Sequence, residues 1–207
     1  MNGHSLIFVI NMRTRDENKI LAIREKAIDL MVEEGLEGFS IQKLAKAAGV
    51  SPATIYIYYK DREDLIIQLS IELTNTLLEY SLHDFDPSMD FADGLKLQWK
   101  NRVAHFMKFP KHVEFIEHIR YSPLYEQVRA HMTVQFGEAM GAFVNNAIRN
   151  KQLNKLPFEV YWAVAFAPLY QLMKFHSQGR SHKSEHFALN NKLLMQTCEL
   201  VIKGLTP

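Results

Sequence analysis

The stretch from Phe39 to Leu65 constrains this chain more than any other, because it spells two short helices and the corner between them. Ser40 stands where a helix wants a side-chain oxygen to satisfy a free N–H of its first turn. From there Ile41, Leu44, Ala45 and Ala48 fall on one helical face. Gly49 follows the last of them, at the position that favours a residue tolerant of positive φ. Val50 plugs the angle. Ser51 then caps a second helix, and Pro52 takes its first position, where a missing N–H costs nothing. In that second helix Ile55 and Tyr59 turn inward, while Ala53, Thr54, Tyr56, Ile57 and Tyr58 turn out.

This is the grammar of a helix-turn-helix. Small residues at the start of the second helix allow a close approach to a DNA groove, and the hydroxyls of Ser51, Thr54, Tyr56 and Tyr58 with the cations Lys60 and Arg62 suit phosphate. The bland alternative is a helical hairpin that binds nothing. Three runs, Ser40–Ala45, Ala48–Ser51 and Thr54–Leu65, resemble the TetR family of one-component transcriptional repressors. The likeness is specific and covers about the first third of the chain; a softer one lies in Phe115–Pro123. It implies that the second helix enters the major groove. Ala53, Tyr56 and Ile57 would then meet bases or thymine methyls. Ser40, Ser51, Thr54, Tyr58, Lys60 and Arg62 would hold phosphates, with Pro52 beside them. The sequence departs from common members at Tyr58, where histidine is frequent, and at Arg62, where lysine is frequent. Both replacements keep a phosphate donor.

Charge sets the strength of such an interface. The 207 residues carry a formal net charge of +1, so any affinity for nucleic acid must be local. Between Ser40 and Arg62 four basic residues face one acidic residue, a modestly basic surface. Cys198 is the single cysteine, so no intrachain disulfide framework exists, which fits a reducing cytoplasm. Leu6–Ile10 is an apolar run too short to span a membrane or make a full signal core. Residues 1–12 carry two readings: a start upstream of the true initiator, which Met12 would then be, or an arm packed on a dimer.

The remaining chain reads as all-α, with about nine helices. Thr14 and Glu17 have capping-box spacing at the head of the first long helix, which Glu33-Glu34-Gly35 ends. Further helices are expected from Asp61 to about Tyr80, Phe91 to Met107, Lys111 to Tyr121, Ser122 to about Lys151, Phe158 to about Ser177 with Pro168 inside, and His186 to Lys203. The division is a helix-turn-helix DNA-binding domain over 13–64, a linker helix to about 80, and a ligand-binding and dimerisation domain over 81–207.

Catalytic and cofactor patterns are missing. No phosphate loop, G-x-S-x-G, H-E-x-x-H or C-x-x-C occurs. The spacing of the nine histidines suits no metal site, and Cys198 reads as a buried thiol. No catalytic residue, metal or cofactor is expected. The aromatics between 99 and 175 read as core, and the family resemblance adds a ligand cavity. Its wall would include Trp99, Phe115, Tyr121, Tyr125 and Phe166, with His105, His118, Arg120, Gln171 and His176 as orienting groups. The helix 158–177 is apolar nearly all round, so a partner subunit is expected against it and the stripe Leu193, Leu194, Cys198, Val201 and Ile202. The expected function is a ligand-responsive homodimeric repressor, released from a palindromic operator by a small apolar or aromatic effector. A constitutive regulator and an all-α protein-interaction module are the alternatives.

Overall fold

A computed structural model describes residues 3–131 and 134–207, with side chains from Asp16 onward. It contains α1 (Gly3–Gly38), α2 (Ile41–Ala48), α3 (Pro52–Tyr58), α4 (Arg62–Ser81) and α5 (Phe91–Lys108), then α6 (Pro110–Arg120), α7 (Tyr125–Arg129), α8 (Val134–Arg149), α9 (Phe158–Ser177) and α10 (Asn191–Leu205). Among the described residues there is no strand. Contacts divide the chain into two units, Met1–Thr74 with Lys111–Met132, and Asn75–Pro110 with Thr133–Pro207. The segment around α6 and α7 therefore belongs with the N-terminal helices, a grouping that a linear reading of the sequence does not suggest.

In the first unit, α1 already runs through Thr14, so the expected cap there is absent. No proline interrupts Gly3–Glu34, and a continuous helix satisfies its own N–H groups. The helix breaks at Gly35, whose φ of 69° is the expected stop. The apolar run Leu6–Ile10 lies outside the residues whose side chains are described. Ile23, Ala27 and Met31 of α1 are fully buried with Leu44, Ile55 and Leu65 of the following helices, whereas Leu21 is exposed. Lys111 of α6 pairs with Asp29 of α1. That hydrogen bond holds the Asp29 carboxyl below the usual carboxylate range.

The second unit packs α5 against α8, α9 and α10, and α9 against α10. Asp90 caps α5 by accepting from Ala92 N–H at 2.9 Å, and Gln152 Nε2 donates to its other oxygen at 2.6 Å. Trp99 Nε1 donates to Ala165 O at 2.9 Å and pins α5 to α9. That carbonyl lies one turn before Pro168, which sits inside α9 without ending it. Gly94 is buried where the Phe143 ring would lie only 2.5 Å from an added Cβ.

Two further helix boundaries differ from the sequence expectation. Residues 122–151 form α7 and α8 rather than one helix. Their apolar stripe runs in register from Val128 to Phe136 and Met140, but Val128 lies in the first unit and Phe136 and Met140 in the second. After α7 the chain closes in a tighter turn, His131 N–H donating to Val128 O at 3.0 Å, and α8 begins at Val134. The last helix starts at Asn191, not His186, because Asn190 caps it by accepting from Leu193 N–H at 3.0 Å. The preceding residues are tied elsewhere: Phe187 N–H donates to Gly179 O at 2.8 Å, and Leu189 N–H to His176 Nδ1 at 3.1 Å.

Candidate nucleic-acid interface

The corner between α2 and α3 is built by its caps. Ser40 Oγ accepts from Lys43 N–H at 3.3 Å. Gly49 adopts φ 66°, ψ 30°, and its N–H reaches the carbonyls of Ala45 and Lys46. Ser51 Oγ accepts from Thr54 N–H at 3.2 Å and shares a 2.9 Å hydrogen bond with Thr54 Oγ1. Two hydroxyls have two protons between them. One is spent in their mutual bond, which leaves the other to donate outward.

The outer face of α3 follows the sequence expectation at Ala53, Tyr56 and Ile57 and only in part at Thr54 and Tyr58. Ile55 is fully buried, while Tyr56 and Ile57 are 50% and 74% exposed. Ser51, Pro52, Ala53 and Lys60 are exposed and Thr54 is half-buried. An isoleucine three-quarters exposed beside an exposed tyrosine on a helix of seven residues is a surface that its own unit leaves uncovered. Tyr58 is half-buried and lines, with Ile20, Arg24, Gln68 and Leu69, a recess of about 280 Å³. Tyr59 is buried, and burial raises its phenol pKa.

Arg62, expected to hold phosphate, makes contacts within its own unit. Its Nε donates to Phe39 O at 2.9 Å, its Nη2 donates to Leu36 O, and the guanidinium lies 5.9 Å over the Phe39 ring. It clamps the start of α4 to the α1–α2 connection. Lys43 is similarly tied to Glu34 and, at 2.9 Å, to Gly38 O. Lys60 instead gives its backbone N–H to Asp64 at 2.8 Å and leaves its ammonium exposed. The Gln68 side chain first, and this Lys60 N–H second, keep Asp64 below the ordinary carboxylate range.

The five aromatic residues expected at an effector site are divided between the two units. Trp99 and Phe166 are fully buried in the second unit. Phe115, also fully buried, lies in the first unit with half-buried Tyr125 and with Tyr121, which is 86% exposed. Of the orienting groups, His118 and Gln171 are exposed and Arg120 pairs with Glu117 at 3.1 Å. His105 is buried against the Tyr80 ring, 5.0 Å between centroids, and His176 accepts from Leu189. The sequence reading passed over Gln98, Arg102 and Tyr161. All three are buried in the second unit. Gln98 and Arg102 share the α5 face of Leu95, Trp99 and Phe106, a spacing that would have found them.

Leu194, Cys198 and Val201 are buried within the subunit itself and belong to its core, whereas Leu193 and Ile202 of the same stripe are half-buried. On α9 and α10 the exposed large apolar side chains are Phe158, Val160, Val164 and Leu200. Cys198 is buried, which pushes its thiol up to about 11 and leaves it unreactive. Among the described residues no cluster of metal-ligating side chains occurs. No helix of the described residues is long and apolar enough to cross a membrane.

Residues 23–69 match the family of bacterial regulatory proteins named for tetR. Over 79 residues the chain is 36% identical to an uncharacterized helix-turn-helix transcriptional regulator of Haemophilus influenzae, a match covering 38% of this chain and 42% of the relative. It is also 36% identical over 79 residues to the fatty acid metabolism regulator protein of Bacillus subtilis, covering 38% and 41%. The chain thus aligns with about two-fifths of the length of these curated relatives. Whole-chain likeness appears in solved structures. A TetR-family regulator from Marinobacter aquaeolei superposes with a TM-score of 0.72 at 23% identity, over 94% of this chain and 98% of that one. A TetR-family regulator from Haemophilus influenzae gives 0.73 at 19% identity, over 94% and 99%. These two likenesses establish the fold.

Proposed function

We propose that this chain, which belongs to the TetR family of bacterial transcriptional regulators, is a homodimeric repressor that binds a palindromic operator and is released by a small effector. The family is one of regulators rather than enzymes. The observation that carries the reading is the capped, seven-residue α3, whose Tyr56 and Ile57 stand exposed beside small Ala53. A helix of that build meets base edges in a major groove, and hydroxyls at its N-terminal end meet phosphate.

Tyr56, Ala53 and Ile57 take the base contacts in this reading. Ser40, Ser51, Thr54 and Tyr58 join Lys60 as phosphate donors, and Pro52 sets the close approach. Arg62 supports the site from behind. One α3 per subunit requires a second subunit for a two-fold operator. The exposed Phe158, Val160 and Val164 of α9 with Leu200 of α10 supply an apolar face for it. Effector binding in the second unit would bias the direction of α4, whose residues 62–74 and 75–81 fall in the two units. Operator half-sites are fixed, so a ligand preferring the other arrangement lowers affinity, by 5–150-fold for a coupling of about 1–3 kcal/mol.

Footprinting of protein-bound genomic fragments tests this reading. The expected result is a pair of protected patches related by a dyad on one face of the duplex. A single asymmetric patch contradicts the dimeric reading, and no protection at all contradicts the DNA-binding one.

A further inference from the structure

On α5 three polar side chains lie in one buried stripe: Gln98, Arg102 and His105 are 0%, 1% and 0% exposed. Arg102 Nη1 donates to the Tyr170 hydroxyl at 3.1 Å. Its Nε and Nη2 find no hydrogen-bond acceptor among the described residues, nor does either end of the Gln98 amide or the Tyr161 hydroxyl find a partner. What surrounds the guanidinium is aromatic: Phe166 at 4.6 Å, Phe136 at 5.7 Å and Trp162 at 5.8 Å. Among the described residues no carboxylate pairs with it.

Arginine keeps its charge at every accessible pH, so burial cannot be relieved by losing a proton. Ring faces return only part of what a guanidinium loses on leaving water. The vacant donors are also a matched pair. Nε–H and Nη2–H point the same way along one edge of the plane, the two-pronged geometry that a carboxylate fills. A single positive charge between apolar walls balances a monoanion and leaves a phosphate dianion half uncompensated.

We infer that Gln98, Arg102 and Tyr161 form the head-group site for a carboxylate with a flat or slender apolar body. The Arg102 edge donates twice to the carboxylate, the Tyr161 hydroxyl and the Gln98 amide complete its shell, and the rings of Phe136, Trp162 and Phe166 line the body. Trp162 is half-buried and packs on Phe158, 5.8 Å between ring centroids. The inference rests on the effector reading above and changes it, from an uncharged apolar molecule to an anionic one.

The test is calorimetric titration of the full chain with 1-naphthaleneacetate, 4-phenylbutanoate and decanoate, each beside its neutral primary amide. At least one acid is expected to bind saturably and about tenfold or more tightly than its amide. Arg102→Met should abolish that preference, weakening the acid far more than the amide. It should also raise the melting temperature of the ligand-free protein, because an unpaired buried charge is gone. Tyr161→Phe, which removes one hydroxyl, should fold whatever Arg102→Met does and should reduce the preference. Acids and amides binding alike, no acid binding, or a preference that survives both substitutions overturns the inference. Operator release is measured in parallel by fluorescence anisotropy. Release by acids and amides alike leaves an effector-responsive regulator standing and removes the carboxylate site. Selective binding of acids without release supports the site and refutes the effector role.

Discussion

Arg62→Ala separates two roles that one arginine can have at a DNA-binding head. The side chain gives hydrogen bonds to the carbonyls of Phe39 and Leu36 and lies over the Phe39 ring. A hydrogen bond from a charged donor contributes about 1.5–3 kcal/mol, and the half-buried position of Arg62 favours the low end. Two such bonds give a loss of about 3 kcal/mol for Arg62→Ala. Arg62→Lys should recover little of it, since one ammonium cannot reach both carbonyls with the geometry of the guanidinium fork. Urea unfolding measures the loss, and hydrogen exchange locates it in the amides of α2. Operator affinity is then measured across a salt series on the folded fraction. A residue that neutralises a phosphate contributes about 0.9 to the slope of log affinity against log salt. The clamp account predicts lower stability and an unchanged slope. Unchanged stability with a slope reduced by about one would refute it and return Arg62 to the phosphate backbone.

Other substitutions probe the remaining parts. Tyr56→Ala should cost roughly 1–3 kcal/mol of operator binding, read by anisotropy, with the melting curve unmoved; wild-type affinity would remove Tyr56 from the contact surface. Val164→Glu combined with Leu200→Glu should give monomers in light scattering, whereas Leu194→Glu should unfold the second unit first; intact dimers in the double variant would place the interface elsewhere. Gly49→Ala should lose about 1–2 kcal/mol from backbone conformation alone, because an added Cβ meets nothing within 4 Å, and Gly49→Asn should lose less. Asp29 is held low by Lys111, so its contribution is present above the unfolded pKa near 4 and fades as pH falls through the lower folded value. Asp29→Asn should therefore narrow its stability gap to wild type in acid, and a constant gap from pH 7 to pH 2 would show that the pair contributes nothing.

What the sequence discloses about this fold is what local chemistry decides. Ser40, Gly49, Ser51 and Pro52 act within a few residues of themselves, and the structure puts each cap where residue type requires it. Periodicity was equally informative for α5 and α9, whose ends at Phe91 and Ser177 follow the apolar pattern. It misled where one pattern serves two cores, as between Val128 and Phe136, and at Leu194 and Val201, since an apolar stripe looks the same whether its cover is the same chain or a second copy. Arg62 shows the limit for charge. Its partners are carbonyls 23 and 26 residues away, and no reading of the helix that carries it reveals them. Tyr121 and Trp162 show the same limit for aromatics, because similar side chains end in different units.

Selection of bound duplexes from a random DNA pool tests the central claim most directly. A dimer presenting one α3 per subunit should enrich a motif with dyad symmetry, its half-sites separated by about one helical turn or a multiple of it. Repeating the selection with Tyr56→Ala should blur the same positions in both half-sites. Enrichment of a site without dyad symmetry, or of no site at all, would contradict the account.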